Sequence, residues 1–119
     1  MSGIRFNYLY RDGSNYKSWG EVIFSNPDNL SITKVEEKII HVFLPDKQFI
    51  ASQISIPEKF LFMDGSFTED DHCYHEFDCV EICEEEATDI SGRSITDFLL
   101  DIEAASKQGW EAFDVLDRA

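Results

Sequence analysis

Residues 5–11, "RFNYLYR", set Phe6, Tyr8 and Tyr10 on one side of the chain and Arg5, Asn7, Leu9 and Arg11 on the other. Strict alternation of this kind is the signature of a β-strand with one buried face. Three large rings on that face demand a core, because burying each stabilises the fold by about 1.5–3 kcal/mol. "GSN" at 13–15 is a turn, and "YKSWGEVIF" at 16–24 is rich in aromatic and branched residues, so the chain returns as a second strand of a hairpin.

"SNPDN" at 25–29 then breaks the chain, and Ser31 is placed as a helix N-cap. Ile32, Val35, Ile39 and Val42 follow as one apolar stripe, with "IIHVFL" open to a competing strand reading and Pro45 forbidding continuation. "QFIASQISI" at 48–56 is expected to be a third strand, ended by Pro57. Residues 57–71 have no period, and Phe60, Phe62 and Phe67 are expected to pin them to the core as an ordered loop. Loops of such length are uncommon unless functional.

"YHEFDCVEIC" at 74–83 is expected as the fourth strand, followed by a polar connector, "EEEATDISGR". Ser94 and Asp97 resemble a capping box; Ile95, Phe98, Leu99, Ile102 and Ala105 form the stripe of a second helix, and Gly109 stands at its end. Two helices with one apolar stripe each need a common sheet face to bury against. The expected fold is therefore a single α+β domain over 1–119, of two layers. Four mostly antiparallel strands carry both helices on one face, in the order ββαββα. At 119 residues the chain is long enough for a core without staples.

Charge separates the two halves. Residues 1–63 carry seven basic and seven acidic side chains, whereas residues 64–119 carry three basic and seventeen acidic, which accounts for the formal net charge of −14. Such a surface argues against nucleic acid, because each phosphate contact needs a cation. It suits a basic protein partner, divalent cations, or a solvated acidic surface that serves solubility alone. No segment approaches the ~20 apolar residues of a membrane helix. With no apolar leader and three cysteines, which cannot all pair, the expected location is the cytoplasm.

Chemistry-bearing side chains concentrate in "DDHCYHEFDC" at 70–79. On a strand, four residues span about 13 Å, so His75 and Cys79 cannot share one ion, and Cys79 and Cys83 can neither chelate together nor form a disulfide. Both cysteines are read as core residues. The surviving candidate metal set is Asp71, His72, His75 and Glu76, a donor group suited to zinc, iron or manganese. Without metal, Asp70, Asp71 and Glu76 around the two imidazoles would favour their protonated form, as a general acid or base requires.

A second cluster, "YRDGSNYK", holds Arg11, Asp12, Asn15 and Lys17. Asp12, Gly13 and Asn15 are what a tight turn wants, while Arg11 and Lys17 are suited to an anionic group that Asp12 and Asn15 could help bind. Tyr8, Tyr10, Tyr16 and Trp19 could stack bases, yet too few cations accompany them.

Together "FNYLYRDGSNYKSWGEVIFS", "FIASQISIP" and "DDHCYHEFD" resemble a family of small uncharacterised bacterial proteins with a YRDxxNYK opening and a DHxxHE stretch. The resemblance covers residues 6 to about 110. It implies a bacterial, cytoplasmic protein and directs attention to Arg11, Asp12, Asn15, Lys17, Asp71, His72, His75 and Glu76, with no activity attached.

Two functions fit these features. One is an acidic interaction module of the inhibitor, immunity or accessory-subunit type, docking on a basic protein. The other is a small metal-assisted or acid–base enzyme using residues 71–76 with Arg11 and Lys17. The enzyme needs the two clusters to meet, which depends on whether the first and fourth strands are neighbours.

Overall fold

The computed structural model describes residues 2–61 and 71–115. Its sheet runs β2-β1-β4-β3, with β1 at Gly3–Arg11, β2 at Lys17–Ser25, β3 at Gln48–Phe49 and β4 at His75–Cys83, and every neighbouring pair is antiparallel. Helix α1 spans Ile32–Val42 and α2 spans Ile95–Gln108. The fold is α+β. None of the described helices is long and apolar enough to cross a membrane.

The alternation in β1 does what its period demands. Ile4, Phe6 and Tyr8 share one core with Val35 and Ile39 of α1 and with Ile95, Phe98 and Ile102 of α2. Phe6 is its centre, with ring centroids 5.1 Å from Phe98, 5.4 Å from Phe77, 5.6 Å from Tyr8 and 5.9 Å from Phe49. Ser31 caps α1 by accepting from the Lys34 N–H at 3.2 Å, and Ser94 and Asp97 complete a reciprocal capping box on α2.

The expected third strand over 48–56 is corrected: only Gln48 and Phe49 pair with β4, and Ala51–Ile54 form a 3-10 turn. Ala51 and Ile54 are both buried, and their i, i+3 spacing suits that turn rather than a strand. The carbonyls of Ile54 and Ser55 accept from the Arg93 guanidinium at 2.9 and 3.2 Å in place of a strand partner. Phe60 is buried in a second, smaller cluster with Tyr10, Ile50, Cys73 and Val115. Phe62, Phe67 and Asp70, to which the sequence assigned parts, lie outside the described residues.

The cysteines also need correction. Cys83 is buried, but Cys79 is exposed. Tyr8 pairs with Phe77 whereas Asn7 pairs with Cys79, so Asp78 is an extra residue, a β-bulge. The bulge reverses the facing of everything after it. Val80 turns inward opposite Phe6, and Cys79 turns outward with Glu81.

The connector between β4 and α2 holds an ion pair unseen in the sequence pattern. Arg93 grips Asp89 at 2.9 Å, reaches Asp101 at 3.1 Å and lies 5.2 Å over the Phe98 ring. Burial alone would push the Asp89 carboxyl up. The Arg93 side chain and N–H, with the Ser91 N–H, outweigh it and hold the group below the usual carboxylate range. Its stabilisation is present above the unfolded pKa near 4 and is lost as pH falls further. Asp89→Asn should therefore cost roughly 2 kcal/mol or more in urea denaturation at pH 7 and less at pH 3, because it leaves a mostly buried guanidinium short of its counter-charge. An equal cost at both pH values would remove the ion pair from this role.

Candidate polar site at the junction of β1 and β4

Because β1 and β4 are neighbours, the two polar clusters of the sequence meet. Arg11, the last residue of β1, donates to both carboxylate oxygens of Glu76, from Nε at 3.2 Å and Nη2 at 3.1 Å. Its third contact, from Nη1, is to the Asn15 side-chain oxygen. Asn15 sits at φ 69°, a left-handed conformation that asparagine tolerates better than most residues. Asp12 accepts from the N–H groups of Ser14 and Tyr16, each at 2.9 Å, and so is spent on the turn. Lys17 is exposed and makes no ion pair among the described residues, so it does not join the junction.

Tyr10 is the hub that sequence reasoning passed over. Its inward position follows from the same alternation as Phe6 and Tyr8, and that parity was the signal available. The Tyr10 hydroxyl donates to Asp71 at 2.6 Å and accepts from the His72 N–H at 3.2 Å. Burial, and then the Asp71 carboxylate, hold this phenol well above its ordinary pKa. His72 lies outside the strand, with Nδ1 accepting from the Tyr74 N–H at 3.1 Å. Its proton therefore sits on Nε2 and is donated to the Arg11 carbonyl at 2.6 Å.

His75 is directed into the core among Tyr8, Tyr10, Phe49 and Phe60, the last with its ring centroid at 4.8 Å. Its Nε2 accepts from the Lys59 N–H at 2.8 Å, which leaves the proton on Nδ1, a buried atom without a hydrogen-bond partner among the described residues. Burial, and secondarily the neighbouring His72, lower its pKa to about 3. The expected carboxylate-raised imidazole is thus reversed at this position. Adjacent strand residues point to opposite faces, so Glu76 stands on the outer face with Arg11 while His75 is inside.

This geometry does not fit the expected metal set of Asp71, His72, His75 and Glu76. Each neutral imidazole has one lone pair, and both are already engaged by backbone N–H groups. No group of three or more His, Cys, Asp or Glu among the described residues is placed to hold a metal ion. The junction works as a clasp, in which side chains satisfy the backbone where the chain enters β4. A groove of about 810 Å³ lies elsewhere, between α1 and α2, floored by Leu30, Val42, Leu99 and Leu100. None of its lining residues belongs to either polar cluster.

Comparisons with protein-family models, with curated proteins and with solved structures found no match to this chain.

The His75 imidazole gives a sharp expectation. An unfolded chain binds a proton there below about pH 6.5 and the folded chain does not until about pH 3. Stability is complete above the unfolded value and falls with acidification across that window, by as much as about 1.4 kcal/mol per pH unit. Nitrogen-15 spectra should show a neutral Nδ1–H imidazole for His75 from pH 8 to 5. A ring titrating near pH 6.5 would contradict this placement.

Proposed function

We propose that this chain is a small acidic protein-binding module, of the inhibitor, immunity or accessory-subunit kind, which docks on a basic protein surface through residues 78–86. The carrying observation is a strip in which carboxylates outnumber cations. Asp78, Glu81, Glu84, Glu85 and Glu86 are all exposed along the end of β4 and the start of the connector. The cation among them, Arg5, is already shared by Glu21 at 2.7 Å, Glu81 at 2.9 Å and Glu85 at 3.1 Å. Arg93 and Lys107, the cations of residues 71–115, are committed to Asp89 and Asp101 and to Glu103.

Apolar anchors accompany the strip. Ile82, the partner of Ile4, is 51% exposed on the sheet face opposite Glu81, and Ile90 is 90% exposed in the connector beyond. An acidic field that steers encounter, with a few exposed apolar side chains to hold the complex, is a common division of labour at protein interfaces. The polar junction supports the same reading from the other side, since its imidazoles and carboxylates are occupied by structural hydrogen bonds.

Glu84→Lys combined with Glu86→Lys tests the proposal while leaving the Arg5 partners in place. The immobilised wild-type chain should retain basic proteins from a host lysate at about 0.05 M salt and release them by about 0.3 M, where screening is strong. With a partner so isolated, the double variant should slow association at least about tenfold with little change in dissociation. Ile82→Ala should instead speed dissociation. Retention of the same proteins by the double variant would sink the reading.

A further inference from the structure

The sheet edge opposite β3 is the rim of β2, and only part of that rim is covered. The Ile23 N–H donates to Thr88 Oγ1 at 2.9 Å, and the Ile23 carbonyl accepts from the N–H groups of Thr88 at 2.9 Å and Asp89 at 3.3 Å. The Ile23 backbone therefore points away from β1. The β1–β2 register runs without a shift from Gly3↔Ser25 to Arg11↔Lys17. By the alternation of an antiparallel ladder, the backbones of Glu21, Trp19 and Lys17 point the same way. Among the described residues, nothing outside the hairpin bonds to them. Their side chains stand on the face away from the helices, where Trp19 is 58% exposed.

We propose that this rim is a symmetric interface with a second copy of the chain, in which β2 pairs antiparallel with β2 about a two-fold axis at Trp19. The free rim, residues 17–21, has Trp19 at its midpoint, so this register satisfies every free N–H and C=O on both copies. Each Trp19 then faces its counterpart as a hydrogen-bonded pair, with Cα atoms about 5.5 Å apart and the two indoles side by side. Lys17 of each copy stands opposite Glu21 of the other, at both ends of the seam. Arg5, 2.7 Å from Glu21, already fixes that carboxylate on the outer face.

Neighbouring registers fail. An axis at Glu21 would require the Ile23 groups, which Thr88 and Asp89 occupy. An axis at Lys17 would set the two lysines against each other. Self-complementary charge in the one register that leaves no rim group unpaired is what a two-fold interface needs. The net charge of each copy opposes association, so added salt should strengthen this contact while weakening docking on a basic partner. The two surfaces are thus separable by ionic strength.

Sedimentation velocity on the full chain, over a concentration series at about 0.15 M and 0.5 M salt, decides the matter. Wild type should show a dimer that gains population at the higher salt. Lys17→Glu alone and Glu21→Lys alone should each raise the dissociation constant at least about tenfold, because two attractive cross-strand pairs become repulsive. Combining them restores opposite charges and should return it to within about threefold of wild type.

Amide exchange provides a check that needs no substitution. The N–H groups of Lys17, Trp19 and Glu21 should slow with protein concentration, while those of Ser18 and Gly20, bonded to β1, stay unchanged. Should Glu21→Lys unfold through loss of its Arg5 contact, exchange and Lys17→Glu decide alone. A wild-type chain that stays monomeric at about millimolar concentration overturns the proposal, since so weak a contact has no interface-grade affinity. So does a combined variant as weak as either single one, or a dimer indifferent to all three.

Discussion

One extra residue in β4 governs which chemistry each face of this protein presents. With Asp78 bulged, Phe77 and Val80 both face the helices, opposite Tyr8 and Phe6. Without it, continuous parity would direct Glu81 into the aromatic core and Val80 into water. Burying that carboxylate unpaired would cost more than any single ring contributes. Instead Glu81 lies outside, 2.9 Å from Arg5, and the Arg5 guanidinium gathers Glu21 and Glu85 as well. The bulge thus fills the core and concentrates acid on the outer surface in a single step.

Upstream of the bulge, a different constraint explains why catalytic-looking residues collect around 71–76. Around the entry to β4, several backbone N–H groups have no strand to receive them. Buried donors of this kind must find acceptors. The Lys59, His72 and Tyr74 N–H groups find His75 Nε2, the Tyr10 hydroxyl and His72 Nδ1. An imidazole suits this task because it offers a neutral acceptor on an aromatic body that packs against other rings. Histidine and tyrosine are here for the same properties that make them useful in active sites. Residue type alone therefore could not separate the two roles.

Periodic features were legible in the sequence and tertiary choices were not. The hairpin, both caps and the α2 stripe follow from spacing, because each is decided within about a dozen neighbouring residues. The short β3 could not be seen, since Ile54 and Ser55 give their carbonyls to Arg93, some forty positions away. The fate of Cys79 was half visible. The apolar phase of "HEFDCVEIC" slips between Phe77 and Val80, which is the mark a bulge leaves in a pattern of period two. In the polar site, the meeting of Arg11 with Glu76 required β1 beside β4, and sequence does not carry strand order. The opposed facing of His75 and Glu76, however, needed only parity.

Strand order sets β1 between the acidic strip and the strand rim, and Arg5 of β1 bridges them through Glu21 on one side and Glu81 and Glu85 on the other. β1 separates β4 from β2, so the strip at 78–86 and the free rim at 17–21 belong to different strands of one sheet. Where the connector crosses to β2, Thr88 and Asp89 seal the rim at Ile23, and Asp89 is itself held by Arg93. One ion pair thereby fixes both where the acidic connector ends and how much of the edge stays open. The two surfaces are distinct in chemistry, yet they share a mechanical boundary at Asp89.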